Sequence, residues 1–222
     1  MQYFEQELSE LKEQLLTMAS LAEAAVNQAV QALHDRDDPL ARRVWEADTG
    51  IDRLEVEIDE TAITLLAKAP LASDLRLITV AMKISHDLER VGDEATKIAK
   101  RTLELNLEPP LKISLDIPGL ARLAVDMLNG ALDAFVHHDP AGARALSERD
   151  REVDALNRQI HDLLAHAMAA DPQNISRGLN LMVIAKSLER IADHAVNIAE
   201  EVVYLCEALD IRHAKHLAPP GA

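Results

Sequence analysis

Apolar residues recur every three or four positions along almost the whole chain. That period leaves little room for anything but long amphipathic helices. Leu8, Leu11, Leu15, Met18, Ala22, Ala25, Ala29 and Leu33 follow it in a first segment. Val44, Ala47, Ile51, Leu54, Ile58 and Leu65 follow it in a second, and Leu75, Ile78, Met82, Leu88, Val91 and Ile98 in a third. Such a stripe buries one helix face and leaves the other in water. Composition points the same way. Only 2% of the residues are aromatic and only 7 are glycine, so strands and tight turns lack their usual residues. Segments of roughly 30 residues span roughly 45 Å, and such helices with short connections pack as antiparallel neighbours.

Prolines mark the connections. Asp38-Pro39 and Asp139-Pro140 each read as an N-cap acid before a proline at the first helical position. Ala69-Pro70 reads as the stop of the second helix, and Asp171-Pro172 as a stop or start in the matching later place. The helical pattern lapses around Glu108-Pro109-Pro110 and Asp116-Ile117-Pro118-Gly119, which marks the boundary between two units.

Those units repeat. Glu46-Ala-Asp48-Thr-Gly-Ile-Asp52 matches Glu148-Arg-Asp150-Arg-Glu-Val-Asp154, and Leu88-Glu89-Arg90-Val91-Gly92-Asp93 matches Leu188-Glu189-Arg190-Ile191-Ala192-Asp193. The chain is therefore expected to be all-α, with two pseudo-repeated antiparallel three-helix bundles side by side. The expected division is residues 1–106, a linker at 107–114, a second repeat at 115–212 and a frayed tail at 213–222.

Each half carries two acidic pairs at i, i+4: Asp48 with Asp52 and Glu89 with Asp93, then Asp150 with Asp154 and Glu189 with Asp193. Residues four apart share a helix face. If the two pairs of one half face each other, four carboxylates converge. Two such charges at about 4 Å repel by roughly 4 kcal/mol at an effective dielectric near 20. A cation, a proton or an arginine must offset that. On one reading these are solvated surface acids with Arg90 and Arg190 as local partners. On the other, the recurrence of the same four positions marks two oxygen-ligand sites for hard cations such as magnesium, manganese, calcium or ferric iron.

The net charge of −15 argues against nucleic acid as a direct partner and favours attraction of cations. No apolar run is long enough to span a bilayer, and the start lacks the pattern of a signal peptide. The single cysteine, Cys206, excludes an intrachain disulfide and suits a reduced, cytoplasmic setting, where it reads as a small buried residue. No nucleotide-binding loop or nucleophilic triad is visible. None of the histidines follows a glutamate by three positions, which counts against a ferritin-like diiron enzyme. A spectrin-like structural protein would share the stripes but would not need the same acid quartet twice.

Leu-Glu-Arg-Val-Gly-Asp at 88–93 and Leu-Glu-Arg-Ile-Ala-Asp-His-Ala-Val-Asn-Ile-Ala-Glu at 188–200 resemble the signature of the PhoU family. Ala72-Ser73-Asp74-Leu75-Arg76-Leu77-Ile78 resembles that family's first half. The resemblance implies two three-helix bundles and a non-enzymatic, cytoplasmic regulator of phosphate homeostasis. Such a protein restrains the phosphate-specific ABC transporter and passes its state to a sensor histidine kinase. The partners implied are the transporter ATPase, the kinase and a second copy of the chain, with membrane association only through the transporter. A related family acting with a different phosphate carrier is the alternative. The implied cofactors are divalent or trivalent metal ions, as iron or zinc clusters or as magnesium or manganese. The implied ligands are Asp48, Asp52, Glu89, Asp93, Asp150, Asp154, Glu189 and Asp193.

The two copies differ at Gly92, where the second has the equally small Ala192, and four residues past Asp93, where Lys97 stands in place of Asn197. An ammonium beside Asp93 would take part of a cation's role, so the second site is expected to bind metal more tightly. His86 and His194 flank the motifs and read as solvated helix-surface residues.

Overall fold

Long helical segments, six in all, form two bundles of three in a computed structural model that describes residues 2–68 and 71–212, with side chains from residue 4. The Ala69-Pro70 helix stop and the 213–222 tail lie outside the described residues. The first bundle holds α1 (Gln2–Asp35), α2 (Asp38–Ala47) continued by α3 (Thr49–Leu66), and α4 (Ala72–Asn106). The second holds α5 (Ile117–His137), α6 (Pro140–Ala170) and α7 (Ile175–Glu207), with a single 3₁₀ turn, Pro172–Asn174, between the last two. No strand occurs among the described residues.

The stripes do what their period demands. Leu11, Leu15, Met18, Val26, Ile58, Leu65, Ile78, Ile84, Leu88 and Ile98 are fully or almost fully buried in the first bundle. Leu120, Met127, Leu128, Val153, Leu164, Ile184, Ile191 and Val202 occupy the same role in the second. Helices α4 and α7 pack against each other between the bundles, and α1 meets α5, so one core runs through both. Cys206 is half-buried near the end of α7.

The first turn of each bundle is built alike. Arg36 and His138 take left-handed backbone angles, φ 55° and 50°, just past the ends of α1 and α5. The next residue then closes the helix end, Asp37 N–H to Ala32 O and Asp139 N–H to Ala134 O, both at 2.9 Å. The same residue caps the following helix. Asp139 accepts from the Ala141 and Gly142 amides. In the first bundle the cap is Asp37, accepting from Leu40 N–H at 2.9 Å, and not Asp38. The structure thus moves that cap one residue earlier: the sequence offers two adjacent aspartates, and the residue that follows the left-handed one has the extended angles a cap needs. A left-handed non-glycine residue carries strain. Arg36 offsets it by donating to the Leu105 and Glu108 carbonyls, which ties the end of α1 to the end of α4.

The second segment is not one smooth helix. It breaks at Asp48, where the Ile51 amide turns back to the Asp48 carbonyl at 2.8 Å. Thr49 donates its hydroxyl to the Glu46 carbonyl and Gly50 follows, both of which weaken a helix ladder. The matching Asp150 sits inside unbroken α6.

Candidate metal centre

The acid pairs lie on facing helices in each bundle. Asp48 stands at the α2–α3 break with Asp52 one turn on, opposite Glu89 and Asp93 of α4. Close approach of the two helices is set by Gly92. A Cβ there would lie 2.9 Å from Ile51 Cδ1 and 3.2 Å from Asp48 Oδ1. In the second bundle Asp150 and Asp154 of α6 face Glu189 and Asp193 of α7, with Ala192 at the close-approach position.

Electrostatics show that the quartets converge. Burial and repulsion from Asp52 and Asp93 raise the Asp48 carboxyl above its ordinary value, partly offset by the Thr96 hydroxyl and Lys100. Burial and repulsion from Asp93 and Glu55 raise Glu89. Asp193 is pushed furthest. Its side chain still reaches solvent at the rim, but the flanking helices and the carboxylates of Glu189, Asp150 and Asp154 drive it up to about 6. In each quartet burial first, and then repulsion between neighbouring carboxylates, disfavours the ionised form of at least one acid, a cost that a bound hard cation offsets. The buried Glu89 Oε2 makes no hydrogen bond, and its nearest cation, Arg90 Nε, stands 3.2 Å away. An all-oxygen donor set with orphaned lone pairs fits a bound metal ion.

Of the basic residues around the quartets, Arg90 lies where the sequence places it, and Arg190 and Lys97 do not. Arg90 is a local partner, with Nη1 3.3 Å from Asp93 Oδ2. Arg190 instead crosses between the bundles to Glu94 at 3.2 Å. Lys97 also turns to Glu94, at 2.8 Å, and so does not stand in for a cation beside Asp93. The stated reason for a weaker first site falls with it. Glu94 is 4% exposed and holds both cations because its position in α4 faces α7. Nor is His194 merely solvated: its Nδ1 lies 2.8 Å from Asp87 Oδ1, and Asn197 donates to the same oxygen at 3.1 Å. Lys83 binds both oxygens of the nearly buried Glu201 at 3.0 Å. These pairs make a polar seam between α4 and α7. Periodicity missed it, because a face packed on a second bundle carries charges like a wet one.

The structure also adds Glu55 and His86 to the neighbourhood of Glu89, with His86 Nδ1 3.1 Å from Glu55 Oε1. Glu55 is one turn beyond Asp52, and His86 one turn before Glu89, so the spacing carried the signal.

Likeness to known proteins covers the same ground. The PhoU domain matches the chain twice, at residues 15–102 and 117–202. The phosphate-specific transport system accessory protein PhoU homolog of Pseudomonas aeruginosa is 42% identical over 214 residues, 96% of this chain and 88% of that protein. The phosphate-specific transport system accessory protein PhoU of Escherichia coli is 37% identical over 213 residues, 95% of this chain and 88% of that protein. The fold is similar to a crystal structure of PhoU from Pseudomonas aeruginosa, with a TM-score of 0.90 and 41% identity over 93% of this chain and all of that one. It is also similar to the phosphate transport system regulatory protein PhoU from Streptococcus pneumoniae, with a TM-score of 0.86 and 29% identity over 94% of this chain and 99% of that one. By duplicated domain, by motif and by likeness along nearly its full length, the chain belongs to the PhoU family.

Proposed function

We infer that this protein is a non-enzymatic accessory of the phosphate-specific transport system. It restrains uptake through the transporter when phosphate is plentiful and passes the transporter's state to a sensor histidine kinase. The observation that carries this reading is the near-full-length likeness to accessory proteins of that system. The site supports it in one respect. The quartets are carboxylates on rigid helices, a set suited to holding ions. No helix among the described residues is long and apolar enough to cross a membrane, and on this reading the partner is the transporter's cytoplasmic ATPase. On this reading the chain works in the cytoplasm as a homodimer, and Asp48, Asp52, Glu89, Asp93, Asp150, Asp154, Glu189 and Asp193 hold iron, zinc, magnesium or manganese ions.

The test is deletion of the gene in its own host grown in excess phosphate. Phosphate uptake and expression of the kinase-controlled genes should both rise, and the intact gene should restore them. Unchanged uptake and expression would reject the reading.

A further inference from the structure

We propose that Glu55, His86 and Glu89 form a nitrogen-bearing site for one zinc-class ion beside the first quartet, sharing Glu89 with it, with no equivalent in the second bundle. One ligand atom from each of the three residues lies within 4.8 Å of the others. A tetrahedral zinc ion with bonds of about 2.0–2.1 Å needs its ligands about 3.3 Å apart, so small rotamer changes complete the set. His86 and Glu55 are already 3.1 Å apart, and the His86 side chain is 59% exposed and free to adjust. Glu89 contributes from the other side, where its Oε2 is buried without a hydrogen bond. Three protein ligands leave a fourth position open to water.

The second bundle argues the case by contrast. The repeat aligns Glu55 with Asn157 and His86 with Lys186. There the Lys186 ammonium donates to Glu189. A neutral amide and a fixed ammonium thus stand where the first bundle offers a carboxylate and an imidazole. The second bundle carries its own cation at this position, and the first leaves the place to an ion. The imidazole also sets the class of that ion. Nitrogen donors favour zinc, cobalt or nickel over magnesium and calcium, whereas the oxygen-only quartets do not discriminate in that way.

A route in exists. Glu55, Asp59, His86 and Asp87 line a cavity of about 550 Å³ between α3, α4 and α7, which Lys83, Glu201 and Arg212 also border. Its four carboxylates outnumber its two fixed cations, so its field draws a cation inward.

The site shares Glu89 with the first quartet, so the experiment separates the two through Glu55 and His86, which the quartet does not use. Zinc affinity of the full chain is measured by chelator competition with excess magnesium present to load oxygen-only sites. The wild type should hold one tight zinc per chain. His86→Ala and Glu55→Gln should each weaken it at least tenfold with helicity by circular dichroism unchanged, and Asp193→Asn should leave it as it is. The double change Asn157→Glu with Lys186→His should create a second zinc site. Zinc affinity that is the same in His86→Ala as in the wild type would overturn the proposal, as would the absence of any magnesium-resistant zinc.

Discussion

Arg190 of the second repeat ion-pairs with Glu94 of the first at 3.2 Å, whereas its counterpart Arg90 stays on Asp93 in its own repeat. The same arginine of the same motif thus serves two purposes. In the first bundle it partly neutralises a quartet. In the second it locks the bundles together, so Lys186 rather than the arginine is the cation beside Glu189 and Asp193.

Glu94 is the anchor of that lock. Burial alone would raise its carboxyl, but hydrogen bonds from Lys97, Ser187 and Arg190 hold it below the ordinary value of 4.5. A carboxyl depressed on folding stabilises the fold above its unfolded value, and that contribution is lost as pH falls through the folded value. Glu94→Gln should therefore lower stability at neutral pH by about 1–3 kcal/mol. It should also flatten the loss on acidification below pH 4.5 in urea unfolding. Equal acid sensitivity in variant and wild type would count against the lock.

Asp193 behaves in the opposite sense. Its carboxyl ionises at about 6 in the fold against an ordinary value of 3.8, so the folded chain holds this proton more tightly than the unfolded one. Below 3.8 both states are protonated and there is no penalty. As pH rises from 3.8 to about 6 this group makes the metal-free fold steadily less stable, and the penalty then persists. Solvent at the rim limits it to on the order of 1 kcal/mol. Asp193→Asn should thus stabilise the metal-free protein at pH 7 by about that much while removing only the second bundle's share of the gain from added metal. Thermal melts with a chelator, and then with metal, check both halves of the statement.

Gly92 allows α4 to approach Asp48. Alanine there gains about 1 kcal/mol of helix propensity but forces Ile51 and the Asp48 carboxylate aside, a cost of about 1–3 kcal/mol. Gly92→Ala should change stability by no more than about 2 kcal/mol and weaken metal binding in the first bundle alone. The second bundle, which already has Ala192, is the internal control.

The architecture was legible because helix stripes, prolines and the repeat all speak about local structure. Leu88 and Leu188 are buried as their period requires, and Asp139 caps as its proline implies. Asp37 was hidden by its neighbour Asp38, which has the same chemistry. The seam was not legible. Glu94, Asp87 and Glu201 look like wet-face residues until a second bundle covers them. For the same reason Lys97 was assigned to the quartet by spacing, although a long side chain can turn to either of two faces and Glu94 was the stronger partner. The quartets themselves were legible from spacing, because a repeated i, i+4 acid pair on two packed helices has few other places to point.

The most direct test of the central claim, that the quartets are metal sites, is metal content per chain by mass spectrometry. It would be measured on protein purified without a metal-affinity tag, beside Asp93→Ala and Asp193→Ala. Bound iron, zinc, magnesium or manganese that falls in each variant, and further in the double variant, is the predicted result. A wild-type chain that carries no metal and takes none up, or content unchanged in both variants, would contradict the account and leave the acids as a docking face for a basic partner.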